Sequence, residues 1–241
     1  EKKGIKLTVT KEKIYSRDQN LWHISHEGGD IEQLENEHNE EVLYMMVTPP
    51  ERAKDTPTYV DITFEKGWPV KVDGESLSPA TLLQKLNKIA GENGVGVADI
   101  VENRIVGMKS RGIYETPGGT LLMESLMELE TIVFDKDTLN FKKLVSQKYA
   151  EIAYNGQWFT PIKYALDAFV DSIDEVLTGT IKLKLYKGHI KIAGRFTENA
   201  LYDEGISSFG SSELYSHKDA EGFIKLFSLP NTIRAYKKLS K

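Results

Sequence analysis

The sequence predicts an α+β fold: a mixed, largely antiparallel sheet made of hairpins, with packed helices. Two observations carry this. Strand-period segments come in adjacent pairs joined by the two-residue turns Lys66-Gly67 and Lys187-Gly188, while three helix-period segments run in series between about residues 117 and 176. Strands that pair locally, with helices grouped rather than interleaved, favour antiparallel pairing over the βαβ repeats of a parallel sheet.

In chain order, Glu1-Lys2-Lys3-Gly4 reads as the last turn of a helix, with cations at its C-terminal end and glycine as the stop. Ile5, Leu7 and Val9 alternate with Lys6, Thr8 and Thr10 as a short half-buried strand. From Tyr15 to Gly29 the composition mixes Ser, Asp, Asn, His and Trp without a period, as loop-based binding surfaces do. Residues 30–41 carry six acidic side chains and little to bury, which predicts a solvated acidic loop. Val60, Ile62 and Phe64, then Val70 and Val72, give the first hairpin.

Ser78-Pro79 is an N-cap and first-turn signal, and Leu82, Leu83, Leu86, Ile89 and Ala90 then fall on one helical face before Gly91 and Gly94. Residues 95–106 return to an extended pattern, and Pro117-Gly118-Gly119 punctuates before a helix carrying Leu122, Leu126, Leu129 and Val133. The next helix presents Leu144, Val145, Tyr149, Ile152 and Ala153. The last of the series opens at Thr160-Pro161 and is expected to bury Ile162, Leu166, Phe169, Val170, Ile173 and Val176. Ile181, Leu183, Leu185, Ile190 and Ile192 make the second hairpin. Three parts follow from this reading: 1–14, a helix end and strand; 15–228, the main domain; and 229–241, a weakly amphipathic tail with Ile233, Tyr236 and Leu239.

Composition narrows the function. A chain of 241 residues with 40% hydrophobic content can bury a sizeable core. Its 31 basic and 36 acidic residues give a net charge of -5 without any long basic run, so nucleic acid is not an expected partner. No apolar stretch approaches the roughly 20 residues that cross a bilayer, so no membrane association is expected. The absence of cysteine removes disulfides, zinc–thiolate sites and thiol nucleophiles, and fits a cytoplasmic protein. Trp22, Trp68 and Trp158 sit among apolar neighbours in sequence and are expected in the core.

Two stretches are dense in chemistry. Tyr15 to Gly28 (YSRDQNLWHISHEG) supplies hydroxyls, carboxylates and two histidines; Ser16 and Ser25 could converge on a small polar ligand, or simply cap and turn the chain. Asp99 to Thr120 (DIVENRIVGMKSRGIYETPGGT) interleaves charges with apolar residues, which needs either an ion-pair network or a ligand. His23 and His26 fit structural hydrogen bonding better than base catalysis. Arg104, Lys109 and Arg111 could steady phosphates or pair with Glu102 or Glu115.

These strings, with Leu86-Asn87, Asn93-Gly94-Val95-Gly96, Tyr149-Ala150-Glu151, Leu185-Tyr186-Lys187-Gly188 and Asp219 to Ile224 (DAEGFI), resemble the signature blocks of the argininosuccinate synthase family in family order. The resemblance implies an ATP-dependent ligase that joins citrulline to aspartate through citrullyl-AMP, with homotetrameric assembly largely through this part of the molecule. It implies that ATP and its Mg are bound by an N-terminal domain missing here, on the same or another chain; Pro117-Gly118-Gly119 lacks the lysine and strand context of a phosphate loop. The family's citrulline contacts map onto Ser16, Ser25, Glu102 and Tyr114, with Glu102 expected to take the α-ammonium. No residue of this part is expected to act as a catalytic group. Val97 departs from the family, which carries a basic residue there, so a lost surface or interface ion pair is expected. The tail is shorter than the family's oligomer-forming helix. The competing expectation is a non-catalytic amino-acid-binding or oligomerisation module that has lost its ATP domain.

Overall fold

The computed structural model describes residues 15–207 and 216–238. The expected helix end at 1–4, the strand through Ile5, Leu7 and Val9, and Leu239 of the tail lie outside the described residues. The chain divides into two units, one ending at Asn199 and the other beginning at Ala200. In chain order the first contains β1 (Ser16–Gln19), β2 (Ile24–Glu27), α1 (Glu40–Leu43), β3 (Thr58–Glu65), β4 (Trp68–Val72), β5 (Glu75–Ser76), α2 (Pro79–Glu92), β6 (Val97–Asn103), β7 (Lys109–Glu115), α3 (Pro117–Val133), α4 (Lys136–Tyr154), α5 (Pro161–Asp174), β8 (Gly179–Tyr186) and β9 (His189–Phe196). The second contains α6 (Glu204–Ser207), α7 (His217–Phe227) and α8 (Leu229–Tyr236).

The fold is α+β, as predicted, but its strands form two sheets rather than one. A four-stranded sheet runs β1-β2-β7-β6 and a five-stranded sheet β5-β4-β3-β8-β9, and every pairing among the described residues is antiparallel. Both predicted hairpins form. At each turn the two central residues have positive φ (Lys66 49°, Gly67 77°; Lys187 44°, Gly188 81°), the backbone twist that matches two-residue connections to right-twisted strands. One face of the larger sheet, with Val60, Ile62, Phe64, Ile181, Leu183 and Leu185, packs on Leu82, Leu86 and Ala90 of α2 and Leu121, Leu122 and Leu129 of α3.

Ser78 caps α2, its hydroxyl accepting from the Thr81 amide at 3.3 Å. Pro117-Gly118-Gly119 does not precede α3 but forms its first turn. The glycines are there because the helices are close: a Cβ on Gly118 would lie 2.7 Å from Asn87 Oδ1 and 3.0 Å from the Leu83 carbonyl oxygen. The Gly118 amide instead donates to Asn87 Oδ1 at 2.8 Å, and Trp22 lies against Gly119. One orphan amide of the helix start is thereby satisfied inside the protein.

Burial departs from expectation at several places. α5 has no fully buried residue; Ile162 in its first turn is 44% exposed, and Val176, just past its end, is 48% exposed, while Ile173 packs against the main core. The tryptophans are not core: Trp22 has one face across Gly119, Trp158 stands edge-on to Tyr149 with the Lys163 ammonium 4.4 Å from its ring centre, and Trp68 is 72% exposed beside the β3–β4 turn. The acidic loop does bury something. Its glutamates face solvent, but Ile31 and, just beyond it, Leu43 are fully buried with Tyr15 and Ile113 in a second small core. In the second unit Phe223 and Phe227 stack at 5.1 Å, and Ile233 and Tyr236 are exposed. Among the described residues no helix is long and apolar enough to cross a membrane.

Candidate functional site

The four residues singled out from sequence lie on four different strands of the smaller sheet: Ser16 on β1, Ser25 on β2, Glu102 on β6 and Tyr114 on β7. Strand register decides whether they can meet, since neighbouring residues along a strand face opposite sides. Asp18 pairs with Ser25, Ser25 with Tyr114 and Tyr114 with Ala98, while Ser16 pairs with Glu27 and Glu102 with Ser110. Stepping by two along each strand puts Ser16, Asp18, Ser25, Glu27, Glu102, Ser110, Gly112 and Tyr114 all on one face. No lysine or arginine of these strands shares it. Arg17, Lys109 and Arg111 belong to the opposite face by the same register.

The centre of this face is a tyrosine on a carboxylate. The Tyr114 hydroxyl donates to Glu102 Oε2 at 3.1 Å. Its ring leans along its own strand over Gly112, a position with no side chain to obstruct it. Burial, then the hydrogen bond to Glu102 and the charges of Glu102 and Glu27, push the phenol up to about 12, so it stays a donor across the physiological range. Ser25 is buried and its hydroxyl reaches the Asp18 carbonyl at 3.4 Å; Ser16 is exposed at the edge of the same face.

His23 closes one side. Asn20 Oδ1 accepts from the backbone amides of Trp22 and His23 at 2.8 and 2.9 Å, which leaves Asn20 Nδ2 to donate to His23 Nε2 at 3.2 Å. The neutral ring therefore carries its proton on Nδ1. That nitrogen is buried without a hydrogen-bond partner, and the ring meets Tyr114 edge-on, 5.3 Å between centres at 81°.

The opposite face is structural. Arg17 Nε donates to His26 Nδ1 at 3.1 Å, so His26 Nε2 holds the proton it gives to Glu115 Oε1 at 2.7 Å. Glu115 is fully buried and also accepts the backbone amides of Met45, Met46 and Val47 at 2.7–2.8 Å. Burial alone would raise its pKa; the His26 and amide hydrogen bonds outweigh it and hold the carboxyl below the usual range. The expected pairing of Arg111 with Glu102 or Glu115 does not occur. Glu102 is across the sheet, Glu115 is saturated, and Arg111 forks onto Asp99 at 2.6 and 2.9 Å while donating to the carbonyls of Ile31, Gln33 and Asn36. Lys109 donates to Asn103 at 2.7 Å, and Arg104 is exposed in the β6–β7 turn.

Sequence reasoning missed Asp18, Glu27 and Gly112, each two positions from a residue it did single out. Alternation along the strand was the signal that could have found them.

Residues 15–234 match the family model described as "Arginosuccinate synthase C-terminal domain". The chain belongs to the argininosuccinate synthase family. It is 63% identical over 239 residues to an argininosuccinate synthase of Clostridium acetobutylicum and 64% identical over 236 residues to those of Clostridium botulinum, covering 99% and 98% of this chain. It spans 60% and 59% of the length of those relatives. Val97, where the family carries a basic residue and a lost ion pair was expected, is half-buried against Tyr15, Ile31, Leu43 and Ile113, so the valine extends an apolar contact.

Proposed function

We propose that this chain is the citrulline-binding part of an argininosuccinate synthase, a cytoplasmic ATP-dependent ligase of arginine biosynthesis that condenses citrulline with aspartate through citrullyl-AMP. The observation that carries the reading is the Tyr114–Glu102 hydrogen bond at the centre of a face rich in carboxylates and hydroxyls and free of strand-borne cations. Citrulline offers an ammonium, a carboxylate and a neutral ureido group, and a carboxylate flanked by neutral donors suits the first and last of these. Glu102 receives the ammonium, while Ser16, Ser25 and Tyr114 give and take neutral hydrogen bonds.

ATP with its Mg belongs to a further domain in this reading. The Gly118-Gly119 start of α3 is filled by Asn87 and Trp22, so it does not fit a triphosphate. What this chain does for the reaction is to fix the amino-acid end of citrulline, so that its ureido oxygen is presented in one orientation for adenylation. The family's homotetramer is the assembly expected of the full protein.

Glu102→Gln in the full natural chain tests the reading. Gln keeps one oxygen for the Tyr114 hydroxyl while removing the charge and turning the other oxygen into a donor that repels an ammonium. Citrulline binding measured by calorimetry should weaken by roughly 2–4 kcal/mol, the cost of leaving a desolvated ammonium without its partner, with the KM for ATP little changed. A citrulline affinity within threefold of wild type sinks the assignment.

A further inference from the structure

The tyrosine at the centre of the face does not stand upright on its strand. An ideal Cβ placed on Gly112 would lie 3.0 Å from Tyr114 Cε2, 3.2 Å from its hydroxyl oxygen and 3.3 Å from Cζ, and these three are its nearest neighbours. Gly112 is buried mid-strand, and its φ is not positive, so the backbone itself does not call for glycine. A glycine inside a strand forgoes side-chain packing and restricts more backbone freedom on folding, so its presence there has to be explained by what approaches it. What approaches it is the phenol.

The direction of the lean matters. Gly112 pairs with Ile100, and Glu102 pairs with Ser110 one step further along. Lying over Gly112 carries the hydroxyl away from Ala98, which faces the Tyr114 backbone, toward Glu102. Edge-on contact from His23 limits the ring on another side. The same glycine-x-aromatic arrangement recurs at Gly194 and Phe196, where a Cβ would come 2.9 Å from the ring. Aromatic covering of a strand glycine is thus a device this fold uses for packing. Only at Gly112 does the covering ring end in a polar atom bonded to a carboxylate of the candidate site.

We propose that Gly112 is a positioning residue: it provides the berth in which Tyr114 lies, and so fixes both the phenol and the Glu102 carboxylate in the arrangement that receives the amino-acid substrate. The last clause rests on the citrulline reading; the berth itself does not.

The experiment uses the full natural chain carrying Gly112→Ala, alone and combined with Tyr114→Ala, and three readouts. With tyrosines labelled with carbon-13 at Cζ, the Tyr114 resonance, assigned by its loss in Tyr114→Phe, should titrate well above the ordinary phenol value in the wild type, where burial and the bond to Glu102 both raise it. In Gly112→Ala it should fall, because the displaced ring loses part of its burial and its bond to Glu102. The loss of thermal stability caused by Gly112→Ala should vanish in the Tyr114→Ala background, since the new methyl group then has nothing to strike. Citrulline Kd should rise about tenfold in Gly112→Ala and no further when Tyr114→Phe is added. An unchanged Tyr114 titration overturns the proposal, and so does equal destabilisation with and without the tyrosine. If Gly112→Ala fails to fold, its combination with Tyr114→Ala must fold, or the proposal falls in the same way. Should the first two readouts hold while citrulline affinity stays put, the berth stands and the amino-acid reading of the face is what fails.

Discussion

Replacing Glu115 with Gln changes one atom and no volume, so its effect isolates the hydrogen bonding of a buried carboxylate. Oε1 accepts from His26 Nε2 and the Met45 amide; Oε2 accepts from the amides of Met46 and Val47. Whichever oxygen becomes the NH2 group, two donors lose their acceptor and face a third donor. A buried donor left unmet costs about 1–3 kcal/mol, so the pair costs roughly 2–6 kcal/mol, a large share of the 5–15 kcal/mol by which domains are stable. In a unit of this size 1 kcal/mol moves Tm by about 2–4 °C, which puts the expected fall near 10 °C by calorimetry at pH 7. The pH dependence supplies a second check. Because the folded pKa lies below the ordinary one, the wild type's advantage is complete above the unfolded value of about 4.3. It shrinks as pH falls through the folded value. A Tm within 2 °C of wild type at pH 7 would falsify the claim that this carboxylate pins residues 45–47.

Burial raises the Asp174 carboxyl to about 6, with Lys142 opposing and Glu130 and Asp171 adding to the rise, and its Oδ1 is buried without a partner. Its charged form therefore costs stability above pH 6, so Asp174→Asn should gain about 1–2 kcal/mol at pH 8, after allowance for partial exposure, and nothing below pH 4; equal stability in urea at pH 8 would contradict this. Gly118→Ala should lose about 1–3 kcal/mol in urea denaturation although alanine is the better helix former, because the methyl group meets Asn87 and the Leu83 carbonyl; a stabilised variant would show that α2 and α3 part without strain.

Local chemistry was legible in the sequence wherever cause and consequence lie close together in the chain. Ser78-Pro79 announces α2, and Lys66-Gly67 and Lys187-Gly188 announce their hairpins, because the residues that fix those dihedrals are the residues at the turn. The candidate site was legible as a set of residue types, and its geometry was not. Ser25 and Tyr114 are register partners 89 positions apart, and nothing local fixes that pairing. Nor could composition show that Glu115 would spend its lone pairs on three backbone amides, leaving Arg111 to Asp99. The tryptophans misled for a related reason. Apolar neighbours in sequence say nothing of which neighbours arrive in space, and Trp158 found a tyrosine edge and a lysine instead of a core.

The sorting of charge across the smaller sheet has a kinetic side. Asp18, Glu27 and Glu102 line one surface of a layer a single residue thick, and Arg17, Lys109 and Arg111 line the other, partly answered there by Asp99 and Glu115. Charges that close act as a double layer whose field reaches about a Debye length, ~8 Å at physiological ionic strength. If this face receives citrulline as proposed, the zwitterion would be turned in that field before it touches anything, ammonium inward and carboxylate outward. Added salt would then shorten the reach and slow capture while leaving the bound pose unaltered.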